Sequence, residues 1–497
     1  MTDKRLFLHG YGNEVQEQLA LLIAEAKGDN LLAPVTLVVP TMYTGLSVRR
    51  SLAKQEGLIN VRFMVIPRLA EYLGAPALAR QGKSPLTPTM KLAAVRHFAE
   101  EMAKKEPLGP IASHPPLHDY LVNTFSEFAM LSEEQLSWLQ DRNPLVHQVV
   151  EWYRVYQELT QSYYDREELA LSAADSVAQG SAESVLKDLG SIIFFLVTGF
   201  SPGEMALVSS LGTRGCCSAI LGLAGEEDVD TETYRLASRL EPVLEKAKVN
   251  TPSAESYTAD HIVITPDAYE EVRWAIRHIA KCAESGIPFH HMALLYRNVD
   301  PYAELIKGQL ELAQIPAAGP DPMPLRDSAA GKLLLYLTEV FESDFARESI
   351  MRWIAEAPVH TGKDRELASR ETALWEEISG RAGIIRGARQ WGERLERFCE
   401  GMKEKLGSEE IGEEDGEATT ADHDKARLPA AIRLKLFIEE LSGNPPPSDA
   451  GSWKEHSDWA CRMMQRYANL ETWPEAQIES YERVTAVLDE LGRLDAI

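Results

Sequence analysis

Short apolar, β-branched runs alternate with amphipathic stretches near the start of the chain, and this alternation constrains the fold more than any other feature. Arg5 to His9, Val35 to Val39 and Val61 to Ile66 have strand length and composition, while Val15 to Lys27 and Gly45 to Lys54 repeat apolar residues at helical spacing. Strands joined through helices pair in parallel, so the pattern predicts a parallel sheet with crossover helices. The apolar runs Ser191 to Thr198 and Cys217 to Leu223 predict two more buried strands, with a helix from Pro202 to Leu211 between them. From Thr87 to about Lys187 the periodicity is helical only, through Met90 to Lys104, His118 to Leu131, Glu133 to Leu139 and Val146 to Tyr163. One sheet interrupted by a helical insertion accounts for this order.

A polar, acidic stretch from Gly225 to Asp260 reads as a linker around one helix, Thr231 to Lys246. The α/β rhythm then restarts with a strand at His261 to Thr265, a helix at Ala268 to Ser285, a strand at Met292 to Tyr296 and a helix at Tyr302 to Ala313. After Pro324 the pattern is helical, broken by Lys405 to Asp424, whose acidic residues and scattered Gly and Thr predict a disordered loop, and again by Asn444 to Pro447. No repeat of fixed period occurs.

With 497 residues, 44% of them hydrophobic, the chain can build several cores. Its 51 Lys and Arg against 76 Asp and Glu give a net charge of -25, which argues against coating nucleic acid through bulk charge. The charge is uneven: the segment through Met90 is +3 and the remainder carries -28, so DNA contact is expected in the first α/β unit. The five cysteines (Cys216, Cys217, Cys282, Cys399, Cys461) contain no C-x-x-C pair, which fits a reducing compartment. Charged residues interrupt every apolar run before membrane-spanning length, and the opening MTDKRLFLHG has no signal-peptide core, so a cytoplasmic protein without a membrane partner is expected.

Two α/β units, each followed by a long helical stretch, match the order in UvrD-type helicases. The resemblance is carried by Pro266 to Arg277, by Phe289 to Asn298 with its Tyr296-Arg297-Asn298 end, and by Leu310 to Pro316, which together resemble the opening of such a helicase's second motor domain. Val38 to Thr44 with Arg49-Arg50 and then Val61 to Leu73, Phe195 to Leu207, and Ser452 to His456 with Trp459 resemble the B subunit of bacterial AddAB-type ATP-dependent helicase/deoxyribonucleases. This resemblance implies RecA-like (P-loop NTPase-like) α/β parallel-sheet domains with large all-helical insertions. Residues 1–86 plus 187–255 would form the first such domain with a degenerate P-loop, 87–186 a helical insertion, 256–335 the start of the second domain, and 336–497 its helical insertion with an acidic disordered loop near 405–425. It also implies a DNA partner, as a single strand or duplex end, and an AddA-type helicase-nuclease subunit as heterodimer partner. ATP and Mg²⁺ would be used by that partner, while the family's iron-sulfur cluster and nuclease metal belong to a C-terminal part. The helix-like ending Tyr481 to Leu494 without a closing strand favours a truncated chain over a reduced homologue.

The residues themselves argue against nucleotide hydrolysis. A P-loop needs G-x-x-x-x-G-K-[ST] between a strand and a helix, because backbone amides cradle the phosphates while Lys reaches the terminal oxygens. At that place stands His9 to Glu14, which keeps Gly10 and Gly12 but has no Lys and no Ser or Thr, and Glu14 would repel phosphate. Gly82-Lys83-Ser84 has Ala77 where the first glycine belongs and follows a helix, so it reads as a loop. The run Ile192 to Val197 leads into Thr198-Gly199 without the acidic pair that handles Mg²⁺. No catalytic residue and no metal ligand set is assigned.

In the helicase pattern Tyr296 and Arg297 face the nucleotide; with no P-loop opposite them, a packed strand-end Tyr and a structurally paired Arg is the preferred reading. Gly10, Gly12, Tyr296 and Arg297 are therefore a vestigial nucleotide site. For Thr41, Tyr43 and Thr44 the resemblance implies contact with single-stranded DNA, and the chemistry permits it, since hydroxyls and amides bind phosphates while Tyr43 stacks on a base. A polar turn with no ligand is the competing reading. Arg49 and Arg50, with Lys54, Arg62 and Arg68 nearby, could line the same groove. His114, His118 and Asp119 lack a fourth metal ligand of fixed spacing, and His290-His291 read as turn residues. Two other readings stay open: a nucleotide- or dinucleotide-binding enzyme using the degenerate turn at Gly10 and Gly12, and an assembly scaffold that does not touch DNA.

Overall fold

Strand β1 (Arg5–Gly10) alternates its apolar side chains between two layers, with Leu6 and Leu8 in one core and Phe7 in the other, as a strand buried on both faces must. The chain continues through α1 (Asn13–Lys27), β2 (Val35–Val38), α2 (Met42–Gln55), β3 (Val61–Met64) and α3 (Ile66–Arg80). A short strand β4 (Ser84–Pro85) leads out to α4 (Pro88–Met102), α5 (Pro115–Phe128), α6 (Glu133–Gln140) and α7 (Pro144–Leu159), and β5 (Tyr163–Tyr164) leads back, pairing in parallel with β4. The chain then passes through α8 (Arg166–Ala178), α9 (Glu183–Leu189), β6 (Ser191–Phe195), α10 (Pro202–Thr213), β7 (Cys217–Leu223), α11 (Glu227–Leu240) and β8 (Glu245–Asn250). This computed structural model describes residues 4–55, 57–102, 107–250, 261–319, 324–357, 359, 365–409, 418–448 and 450–496. The chain divides into two compact units, Met1–Thr258 and Ala259–Ala496.

The first unit is mixed α/β, built on a six-stranded sheet in the order β3-β2-β6-β7-β1-β8. Every pairing in it is parallel. Helices α1 and α2 cover one face through Val15, Leu19, Val48 and Leu52, and α3, α8, α9, α10 and α11 cover the other. Because β1 connects to β2 in one direction and β7 to β8 in the other, the strand order reverses beside β1, the usual place for a ligand crevice in such a sheet. Helices α4 to α7 hold a separate aromatic core of Phe98, Phe125, Trp152, Tyr153 and Tyr156.

The first unit contains two elements that periodicity did not suggest. Val61 to Ile66 is expected as one strand, but the strand ends at Met64 and Ile66 opens α3, with Pro67 in the first turn, where its missing N–H costs nothing. The helix expected at Thr231 to Lys246 runs instead from Glu227 to Leu240, and the end of that expected helix with the linker after it supplies β8, an edge strand of sequence EKAKVN with little apolar alternation to betray it.

In the second unit α12 (Ala268–Glu284) and α13 (Tyr302–Leu312) share a small core of Val272, Ile276 and Ile306, with Leu294 and Tyr296 against it. Next come α14 (Ala329–Glu342), α15 (Arg347–Glu356), α16 (Arg365–Arg381), α17 (Ala388–Glu409), α18 (Ala418–Ser442), α19 (Trp453–Tyr467) and α20 (Glu475–Leu491), packed around Trp353, Trp375, Trp391 and Phe437. The strands expected at His261 to Thr265 and Met292 to Tyr296 form no ladder, and among the described residues this unit has only the isolated bridge between Val359 and Ala468. Ile262, Ile264 and Leu295 are 89%, 95% and 91% exposed. Two short segments without further strand neighbours gain too little to hold a ladder. In the acidic stretch, 405–409 close α17 and 418–424 open α18, while 410–417 lie outside the described residues, as does the expected junction at 255–256.

Candidate nucleic-acid interface

At the carboxyl edge of a parallel sheet, strand-to-helix turns present backbone amides and helix starts to whatever binds there. Four such turns matter in the first unit.

The turn after β1 is Gly10-Tyr11-Gly12. Gly12, at φ 113° and ψ -145°, is in a conformation reserved for glycine and starts α1 without any side-chain cap. The Tyr11 amide donates to the Leu223 carbonyl at 3.2 Å, and the Tyr11 ring lies against Gly222 of β7. The first turn of α1 carries Glu14, which opposes any phosphate at the helix N-terminus. After β6 the backbone turns through Leu196 at φ 54°, an uncommon conformation for a branched residue, into Thr198-Gly199. After β7 the amides of Ala224 and Gly225 donate to the buried carboxylate of Asp230 at 2.7 and 2.8 Å. This pair of converging N–H groups could hold an anion, but the chain fills it with its own.

The turn after β2 is the open one. Thr41 caps α2: its hydroxyl accepts from the Thr44 amide at 3.2 Å and lies 3.0 Å from the Thr44 hydroxyl, while its carbonyl accepts from the Gly45 amide at 3.1 Å. Gly45 lets α2 pass close to the sheet, where a β-carbon would sit 3.3 Å from Val39 Cγ2 and the valine would have to give way slightly. Val48 and Leu52 bury one side of α2, leaving Tyr43 (66% exposed), Met42, Leu46, Arg49 and Arg50 on the other. Tyr43, Leu46 and Arg50 are three and four residues apart and form one strip. No acidic residue occurs in α2, and neither Arg49 nor Arg50 makes an ion pair among the described residues. Of the other nearby cations, Lys54 and Arg62 are exposed, whereas Arg68 pairs with Glu71 and lies over the Tyr72 ring at 4.9 Å.

Tyr296 and Arg297 belong to the second unit, Gly10 and Gly12 to the first. Tyr296 is half-buried against the Val272 and Ile306 core and Arg297 is exposed. Lys83, in the sequence Gly-Lys-Ser, pairs with Glu168. His118 is a core histidine whose Nε2 lies 2.7 Å from the Ala112 carbonyl, and burial pushes the Cys217 thiol well above its ordinary range. Sequence reasoning missed Tyr11, Asp230, Met42 and Leu46. The first two depend on register across the sheet, whereas the last two could have been found by continuing the helical strip from Tyr43.

No helix among the described residues is long and apolar enough to cross a membrane. No protein-family model matches the chain. Over 105 residues, 20% of its length, it is 27% identical to the B subunit of the ATP-dependent helicase/deoxyribonuclease of Lacticaseibacillus casei (strain BL23), and to the same degree to the B subunit of the Lacticaseibacillus paracasei (strain ATCC 334) enzyme. The match spans 9% of the length of each of these relatives.

Proposed function

We propose that this chain is a helicase-like DNA-handling subunit, or a portion of one, in an ATP-dependent helicase-nuclease that processes double-strand ends for recombinational repair. It grips a single strand along α2 while an AddA-type partner subunit hydrolyses ATP. The observation that carries this reading is the exposed strip of Tyr43, Leu46, Arg49 and Arg50, a carboxylate-free helix at the carboxyl edge of a parallel sheet in a chain of net charge -25. Aromatic stacking and guanidinium contacts to phosphate are the two interactions that hold single strands without reading sequence.

ATP hydrolysis is assigned to the partner because the β1 turn has neither the lysine nor the hydroxyl of a phosphate cradle, and Glu14 opposes the phosphate. In this reading 1–86 with 187–255 is the first RecA-like domain, 87–186 its helical insertion, 256–335 the beginning of a second, and 336–497 the second insertion. Weak similarity to two subunits named for helicase and deoxyribonuclease activity supports the assignment. The test is a salt-titrated single-strand binding assay on the chain and on Y43A/R50A, with labelled ATP in parallel. Single-strand binding that is weakened in the variant, with no tight ATP binding, is expected. Indistinguishable binding by the two proteins makes the α2 site wrong, absence of single-strand binding by both favours an assembly scaffold, and tight ATP binding overturns the inactive assignment.

A further inference from the structure

In the second unit, α12 carries Glu270 and Glu271 in its first turn and Lys281 in its last, ahead of the closing Glu284. Trp274, His278, Lys281 and Cys282 line an open groove of about 480 Å³, closed on its other wall by His261 and Val263. Trp274 and His278, one helical turn apart, are stacked with ring centroids 5.1 Å apart and planes 7° from parallel. His261 stands edge-on to both, 5.5 Å from His278 and 6.5 Å from Trp274. No carboxylate lines this groove, although 76 of the chain's 497 residues are Asp or Glu. Lys281 is exposed and makes no ion pair among the described residues. Nor, among the described residues, does any backbone hydrogen bond tie Ile262 or Val263.

We propose that this groove binds a nucleotide, with its base on the Trp274, His278 and His261 rings and its phosphate at Lys281. A purely apolar ligand would leave the lysine without a role, and a simple anion would leave three converging rings without one. Residues three apart on a helix are about 5–6 Å apart, which sets Lys281 one phosphate's reach from a base stacked at His278. The open amides and carbonyls at Ile262 and Val263 can pair with the edge of a base. The volume lies within the roughly 300–1,000 Å³ of small-molecule sites. This site belongs to the second unit and α2 to the first, and it does not rest on the reading given to that helix.

The same chemistry is offered by a free nucleotide and by one nucleotide of a single strand, so the test has two arms. The full chain carrying Y43A/R50A, which silences α2, is titrated with a fluorescent AMP analogue and then with unlabelled AMP or a short oligothymidylate as competitor. Saturable binding is expected, weakened about tenfold or more by K281E and by W274A, the size of a lost base stack or phosphate contact. Circular dichroism and thermal midpoint guard against misfolding, and K281E, at an exposed position, keeps the test sound should W274A disturb α12. Stronger competition per nucleotide by the oligomer assigns the site to a strand, and competition by AMP alone assigns it to free nucleotide. Absence of binding by both, or unchanged affinity in a folded K281E, overturns the proposal.

Discussion

The hydroxyl end of Tyr11 rests on the backbone of Gly222, so close that a β-carbon at 222 would meet the phenol oxygen at 2.7 Å. The residue between the two glycines of a degenerate phosphate turn thus lies across the neighbouring strand at the carboxyl edge of the sheet, over the ground that a wrapped phosphate loop would need. The contact depends on a missing side chain at 222 and on the pairing that sets His9 opposite Gly222.

Gly222→Ala is expected to evict the ring and leave the sheet intact. The atoms it would strike are the far end of a half-exposed side chain (53% exposed), which can swing outward, and alanine suits a strand better than glycine. The stability change should stay within about 1 kcal/mol. Fluorotyrosine at position 11 should show a fluorine NMR line that narrows and moves in the variant. A loss of several kcal/mol with an unmoved line would mean that the ring is held by more than the space above Gly222.

Asp230 should be far less tolerant. Its buried carboxylate is the partner of the Ala224 and Gly225 amides, so Asp230→Ala leaves two donors at the end of β7 without it, at a cost of about 1–3 kcal/mol. Asp230→Asn keeps one acceptor and turns a donor on the second amide, and should recover only part of this. Urea midpoints of the three proteins are the comparison, with an Asn variant as stable as wild type counting against the two-amide account.

These two sites mark what could and could not be read from the chain. Strands β1, β2, β6 and β7 are continuous apolar runs and were legible, because a strand buried on both faces has no polar side to disguise it. Strand β8 and helix α3 were not: the first is an edge strand rich in lysine, and the second begins at Ile66 inside an apolar run that also supplies β3. The candidate strip was half legible. Tyr43, Arg49 and Arg50 stand out by residue type, but the capping of α2 by Thr41 and the filling of the other turns by Tyr11 and Asp230 are matters of register between strands far apart in sequence.

Gly190 is a third backbone test. It adopts φ 69° at the entrance to β6, and a β-carbon there would overlap the Pro34 carbonyl, which is backbone and cannot step aside. Gly190→Ala combines left-handed strain with overpacking and should cost about 2–4 kcal/mol. It should also disturb the neighbouring bond from the Thr36 hydroxyl to the Leu189 carbonyl, which is 2.7 Å long and ties α9 to β2. Hydrogen exchange across β2 and β6 would locate the damage, and normal protection there would refute the assignment.

Alkaline pH should loosen the aromatic core formed by α4 to α7. Burial, reinforced by Asp165 and Glu133, pushes the Tyr153 phenol from its ordinary 10 up to about 12, and burial raises Tyr156 as well. A raised phenol pKa favours the folded state fully below pH 10. That contribution is lost as pH climbs toward 12, because the unfolded chain ionises first. Y153F and Y156F keep the packing and remove the titration, so each should flatten the fall in stability over this window. Identical alkaline profiles for wild type and the double variant would place the loss elsewhere.

The α2 strip makes the sharpest prediction because its residues separate by role. Tyr43→Ala should cost about 1–3 kcal/mol of single-strand affinity at every salt concentration, as the loss of one base stack. Arg49→Ala and Arg50→Ala should each lower the slope of log affinity against log salt by roughly 0.7, the value for one phosphate contact on a single strand. Thr41→Ala is a different experiment, since the Thr41 hydroxyl caps the helix that carries the other three. It should cost about 0.5–2 kcal/mol of stability, and Thr41→Ser should restore both stability and binding. Were Thr41→Ser to restore stability but not affinity, the strand would be touching the threonine methyl, the one group that serine lacks. Were the arginine variants to leave the salt slope unchanged, the strip would be ordinary solvated surface and the DNA site would have to be sought elsewhere on the chain.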